Sequence, residues 1–349
     1  MPAASVAFGL FDHVDRSPEP LGTLYEHRLR LLEAADRLGF RSFHVAEHHA
    51  TPLGMAPAPS VFLAAVAQRT RRLRFGPLVY ILPLLPPLRL IEEVCMLDQL
   101  SGGRLELGVG RGISPYEMAY CGFNFMEAQE VYEEALEVLL AGLRAGAEGG
   151  RLTHRGRHFR YLGVPMELGP VQRPHPPLWQ GVVSADSAAR CARTGVSVVS
   201  NGPNAALRPI VERYWEVWDG RGGAAHPLVG AQRHVVVAET DAEARALAAP
   251  AYKVWYDSLV HLWRQFGSVP FRFAESLDRA LELGTAIVGA PATVRAAIER
   301  TLEETGCNYL TARFAFGSLG FEPALRSLTL FGEEVLPRFQ PAPAAAARG

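Results

Sequence analysis

Eight short apolar runs, nearly all separated by segments of helical period, constrain this 349-residue chain more than any other feature. They are Ser5–Phe11, Ser42–Ala46, Leu73–Val79, Leu105–Val109, Leu178–Val183, Val196–Ser200, Arg233–Glu239 and Asn308–Phe316. Helical spacing covers Thr23–Leu38, Ser60–Thr70, Leu88–Leu100 and about Ala128–Leu143 in the first half. In the second half it covers Ser184–Arg193, Ala205–Trp218, Thr293–Glu304 and about Glu322–Leu336. Thr23 and Glu26 have the spacing of a capping box, and Gly39 and Gly102 are placed to end their helices. Strands joined through helices pair in parallel, because a parallel neighbour needs a long crossover connection. A doubly wound open sheet and a closed barrel both satisfy the pattern. The count of eight favours an α/β fold of the (β/α)8 TIM-barrel type.

A bare barrel takes about 250 residues, so roughly 100 must go elsewhere. They fall mainly at two breaks in the rhythm. Arg151–Pro177 is rich in Gly, Pro and basic residues and reads as a hairpin followed by an extended segment. The second break, about Ala251–Ala290, opens on aromatic residues at helical spacing from Tyr252 to Phe266. The expected organisation is a single barrel domain over 1–340 with insertions near 151–177 and 251–290, and a disordered Ala/Pro-rich tail over 341–349. Folded back over the barrel mouth, the insertions would cover a substrate.

Charge and composition remove several classes of function. With 35 basic and 36 acidic side chains, the chain lacks the basic excess of a dedicated nucleic-acid binder. No apolar run approaches the length of about 20 residues that spans a bilayer. Met1–Phe11 lacks the pattern of a secretory signal, so no membrane partner and a cytoplasmic location are expected. Cys95, Cys121, Cys191 and Cys307 are too far apart for a zinc knuckle, and no metal site is expected.

In α/β barrels the functional groups sit at the C-terminal ends of the strands. The second run ends in Glu47-His48-His49, and an imidazole there can give or take a proton near neutrality. A surface turn that merely contains histidine explains the pair equally well. The fourth run ends in Gly108-Val109-Gly110-Arg111-Gly112, where glycines admit a ligand to the backbone and Arg111 offers a fork for phosphate. It is not a dinucleotide loop, which would follow the first strand of its unit. A tight turn with a solvated arginine fits it too. The fifth run ends in Val183-Ser184-Ala185-Asp186-Ser187 at a helix start, a place suited to an anion, although ordinary capping explains it better on its own. Two weak phosphate signals on one rim are stronger together than apart.

These residues also carry a resemblance. Leu82–Gly112, Ala46–His49 (AEHH), Pro170–Pro177 (PVQRPHPP) and Leu310–Gly317 (LTARFAFG) resemble the bacterial luciferase-like flavin monooxygenases, in order, over nearly the whole chain. The most specific part is Leu97–Arg104 (LDQLSGGR) followed by Gly108–Gly112. The resemblance implies a (β/α)8 barrel that binds reduced FMN (FMNH2), activates O2 as a C4a-peroxyflavin and oxidises a small organic substrate. It implies His48 as the catalytic residue near the flavin edge. The implied cofactor contacts are Leu78 and Val79, where a non-proline cis peptide would lie, then Arg111, Gly112 and Ile113, and Val183, Ser184, Ala185 and Ser187. Because the light-emitting catalytic chain has a cysteine at the place of Gly110 and an acid at that of Val183, light emission is not implied. The resemblance further implies a homodimer and a separate NAD(P)H-dependent flavin reductase. Two alternatives stand beside it: a hydride-transfer enzyme using the deazaflavin coenzyme F420 on the same fold, and a flavin-binding protein without turnover. The aromatic stretch after the seventh run points to an apolar or aromatic substrate.

Overall fold

A computed structural model of the chain describes residues 6–220, 226–267, 269 and 273–339. Ser5 of the first apolar run and the tail at 341–349 lie outside the described residues. The strands are β1 (Ala7–Asp12), β2 (Ser42–Val45), β3 (Arg74–Pro77), β4 (Tyr80–Ile81), β5 (Leu107–Gly110), β6 (Arg151–Arg155) and β7 (Arg160–Pro165). They continue as β8 (Leu178–Gly181), β9 (Ser197–Ser200), β10 (Val229–Val237), β11 (Ala286–Gly289) and β12 (Tyr309–Arg313). The helices are α1 (Leu21–Leu38), α2 (Pro59–Arg69), α3 (Pro87–Ser101), α4 (Pro115–Tyr120), α5 (Ala128–Glu148) and α6 (Ala185–Ala192). After them come α7 (Asn204–Val217), α8 (Asp241–Leu259), α9 (His261–Gln265), α10 (Leu277–Glu282), α11 (Pro291–Thr305) and α12 (Phe321–Leu330).

The parallel strands run β3-β2-β1-β12-β10-β9-β8-β5, and the ends meet through a bridge between Phe75 and Leu105. Two backbone bonds hold that seam, from the Phe75 N–H to Arg104 at 3.1 Å and from the Glu106 N–H to Phe75 at 2.7 Å. The result is a TIM barrel. Its interior is filled by side chains. Tyr309 occupies space that Gly9 and Gly230 leave empty, since a β-carbon would come within 1.9 Å of its hydroxyl at Gly9 and 2.6 Å of its ring at Gly230. Trp179 packs on Tyr309 at 5.2 Å between ring centroids, closing the lower half of the barrel.

Three sequence expectations need correction. The first helix starts at Leu21 with Pro20 before it, so Thr23 and Glu26 do not cap it, and Glu26 instead meets Arg69 of α2 at 2.9 Å. The seventh strand begins at Val229, four residues before the apolar run, because Gly230 and Gln232 face the crowded interior and dilute its apolar signal. A further parallel strand, β11, lies inside the segment read as an interruption. It pairs with the upper half of β10, on the edge that β9 occupies lower down. Its run is only four residues long, too brief to stand out beside its flanking helices.

The hairpin of β6 and β7 packs along the outside of α5, where Glu134 accepts the N–H groups of Arg157, His158 and Phe159 at its tip. The segment after α8 instead reaches the barrel mouth. Among the described residues no helix is long and apolar enough to cross a membrane.

Candidate active site

The four sequence signals come from the C-terminal ends of four consecutive strands of the ring. His48 follows β2, Leu78–Val79 follows β3, Arg111–Ile113 follows β5 and Val183–Ser187 follows β8. They therefore share one arc of the rim. The Leu78–Val79 peptide is cis. Val79 fits against Gly110, where a β-carbon would lie 2.5 Å from its methyl group. Gly112 is left-handed (φ 85°), so the chain turns away after Arg111 in a conformation that favours glycine.

The two imidazoles diverge. His49 turns back to the buried Glu47, its Nε2 2.9 Å from the carboxylate, and the Ile81 N–H donates to the other oxygen at 2.9 Å. The Glu47 hydrogen bond raises the His49 pKa, and burial raises that of Glu47. His48 turns toward α4. Its Nδ1 lies 3.1 Å from Glu117 Oε1, and the Glu117 carboxylate also accepts the His49 N–H at 2.8 Å. Burial alone would raise the Glu117 carboxyl, but His48 and the His49 amide more than offset that and hold it below its ordinary value. A carboxylate only accepts, so it places a proton on Nδ1 of His48 and leaves Nε2 for chemistry.

Glu117 was not among the sequence candidates. Its local signal was a capping pattern, Ser114-Pro115-Tyr116-Glu117, and the Ser114 hydroxyl does accept the Glu117 N–H at 3.2 Å. Such a pattern reads as a helix start, whereas here the carboxylate leaves the helix end and serves an imidazole 69 residues away in sequence.

His48 and Glu117 form the polar end of a cleft whose apolar wall includes Leu53, Leu259, Leu262, Trp263 and Phe273. The cleft, with its open mouth, spans about 510 Å³. Trp263 meets Tyr116 of α4 at 5.2 Å, so the second interruption and α4 form one aromatic rim over His48.

A model of the luciferase-like monooxygenase family matches residues 6–309. The chain belongs to that family. An uncharacterised protein of Sinorhizobium fredii is 41% identical over 338 residues, 96% of this chain and 98% of that protein. The oxygenase component of the flavin-dependent trigonelline monooxygenase of Acinetobacter baylyi is 27% identical, with 72% of this chain and 70% of that protein covered. Among solved structures, a monooxygenase of Streptomyces bottropensis superposes with a TM-score of 0.85 at 27% identity, covering 95% of this chain and 99% of that one. This luciferase-like monooxygenase is thus an oxidoreductase, as the named relatives are.

The remaining signals of this family member lie where an anion and a flat ring could be held. Arg111 is exposed, has no ion pair among the described residues and lies 5.4 Å over the Phe125 ring. Ser184 caps α6, accepting the Ser187 N–H at 3.3 Å, and the Ser187 hydroxyl lies against the Ser184 backbone in a reciprocal capping box. Ordinary capping is therefore present, and the next free N–H groups of α6 still point out of the rim. Ile113 and Val183, at the strand ends of the same rim, are 54% and 70% exposed.

Proposed function

We propose that the chain is the oxygenase of a flavin-dependent monooxygenase system, which uses reduced FMN and O2 to oxidise a small apolar or aromatic organic molecule. The observation that carries this reading is the Glu117-backed imidazole of His48 at the polar end of an apolar cleft. An uncommitted cation at Arg111 and an open helix start at Ser184 on the same rim support phosphate binding. The donor set suits the cofactor: Arg111 and the Ser184–Ser187 turn, with Ala185 at the helix start, would hold the phosphate. Leu78, Val79, Gly112, Ile113 and Val183 would offer apolar and backbone surface to the ring. Reduced FMN supplies two electrons and the site at which O2 is activated.

The protein's own part is to exclude water and manage one proton. Trp263, Leu262 and Phe273 shield the reacting centre, and His48 holds or delivers a proton at Nε2 while Glu117 fixes the ring through Nδ1. The resident cofactor is reduced outside this chain, by a separate NAD(P)H-dependent flavin reductase. In this reading the chain acts as a cytoplasmic homodimer, a barrel over 1–340 whose segment near 251–290 covers the substrate.

Anaerobic titration with FMNH2 and with reduced F420 tests the reading. Binding of FMNH2 in preference to the deazaflavin is expected. Tight F420 binding without FMNH2 binding overturns the assignment in favour of hydride transfer. In the same assay Arg111→Ala is expected to weaken FMNH2 binding by roughly 10- to 100-fold, the loss of a charge-assisted hydrogen bond of about 1.5–3 kcal/mol. An unchanged dissociation constant would remove Arg111 from the phosphate site.

Glu117→Gln keeps the shape of the side chain and removes the charge opposite His48. Turnover is expected to fall by roughly 10- to 100-fold, again the loss of a hydrogen bond to a charged group. Unchanged turnover would show that the carboxylate does not act through His48.

A further inference from the structure

The opposite arc of the rim carries a second polar group that the reading above leaves unused. β1, β10 and β12 bring His13, His234 and Arg313 together, all buried. His13 stands 5.4 Å from His48 between ring centroids. It is held by a turn in which Val14 is left-handed (φ 51°), a conformation that a β-branched residue seldom adopts. Asp12 secures that turn by accepting the Val14 N–H at 2.7 Å. Arg313 lies between the rings of Phe11 and Trp255, 5.0 and 4.9 Å from their centroids. Its Nη1 is 2.6 Å from Nε2 of His234 and 3.5 Å from Nδ1.

The hydrogen-bond chemistry of these partners is decisive. A guanidinium has donors only, so His234 must offer a lone pair at Nε2 and carry its proton at Nδ1. The Trp255 indole is also donor-only and gives its N–H to His13 Nδ1 at 3.2 Å, so His13 carries its proton at Nε2. Each ring is thereby fixed as a neutral tautomer. His48 has the reverse arrangement, since its Nδ1 faces the acceptor-only Glu117 at 3.1 Å. We propose that this arrangement sorts three neighbouring imidazoles, so that His48 alone gains and loses a proton, with Trp255 and Arg313 as positioning residues that keep His13 and His234 neutral.

The surrounding charges agree. Burial and then Arg313 lower the pKa of both His13 and His234, with His48 and His234 adding to the effect on His13. Tyr252 packs on His234, Asp12 and Asp15 act on Arg313, and Glu47 and His49 stand behind His48. Without the sorting, a second basic ring near His48 would compete for the proton that His48 is meant to place. The inference rests on His48 as the proton-handling group.

Nitrogen-15 NMR of the histidine rings in the full, flavin-free chain tests it, with each ring assigned by a His→Gln variant. Between pH 5 and 8, His13 and His234 should each remain a single neutral tautomer, protonated at Nε2 and Nδ1 respectively, while His48 carries its proton at Nδ1. Trp255→Phe should release the His13 tautomer, so that its proton is shared between Nδ1 and Nε2. Titration of His13 or His234 in the unaltered chain would overturn the proposal, as would an unchanged His13 in Trp255→Phe. Should that variant not fold, Arg313→Met and Arg313→Lys supply the same test at His234. Lys keeps a donor and should hold the proton at Nδ1, and Met should let it move between the two ring nitrogens. Equal behaviour of the two would overturn the proposal. Because these spectra need no flavin, their outcome is separable from a failure of FMNH2 binding, which would count only against the assigned function.

Discussion

Replacement of His48 by Ala is expected to lower turnover by about 10²- to 10⁴-fold, the usual contribution of a positioned proton-transfer group. FMNH2 binding should change little, because His48 lies two strands from Arg111 and three from the Ser184 turn, and among the described residues it shares no hydrogen bond with either. Product formed in a single turnover, with reduced flavin and substrate bound beforehand, separates chemistry from binding. Unchanged turnover with flavin bound would take the role from His48. His48→Ala also removes the partner of Glu117, whose carboxyl should then rise because burial is left less opposed.

The second large effect is on stability and lies at the other end of the barrel. Glu106 is wholly buried just before β5, and it joins Arg41 at 2.6 Å, Arg74 at 2.9 Å and His44 at 3.2 Å. Burial alone would raise its carboxyl, but His44, Arg41 and Arg74 outweigh it and pull the pKa down to about 2. Glu106→Gln leaves a buried imidazole and two arginines without their shared carboxylate. The cost expected at pH 7 is about 3–5 kcal/mol, as for other broken buried pairs, and urea unfolding measures it. A pKa below that of the unfolded chain stabilises the fold above about pH 4.5, and this contribution is lost as pH falls toward 2. The two proteins should therefore differ most near neutrality and converge in acid. Equal stability at pH 7 would show that the cluster contributes nothing net.

How much of this was legible in the sequence follows from the range of each signal. Strand runs such as Leu105–Val109 and Leu178–Val183 are local patterns, and they located the barrel and its candidate rim. His48, Arg111 and Ser184 were legible because each directly follows such a run, where a barrel places its chemistry. Glu117 was not, because its role depends on a contact across 69 residues and its local pattern spells a helix cap. His13, His234 and Arg313 also stand at or near strand ends, yet each is a single polar residue beside apolar neighbours. Only closure of β1, β10 and β12 into one arc brings them together. Trp255 stood in the sequence only as one of several aromatic residues at helical spacing; it is buried, and its N–H serves His13. The misplaced cap at Thr23 arose because Pro20 starts α1 without a side-chain cap. The missed β11 arose because four residues carry too little periodicity to identify a strand.

The activity we propose for this family member is transfer of an atom of O2 to an organic substrate at the expense of reduced FMN. A product screen by mass spectrometry under ¹⁸O2, with FMNH2 and a panel of small apolar and aromatic compounds, tests it most directly. The expected result is an oxidised product that carries a single ¹⁸O atom and does not form when either FMNH2 or O2 is withheld. A product without the label, formed equally well in the absence of O2 with reduced F420 as donor, would contradict the account.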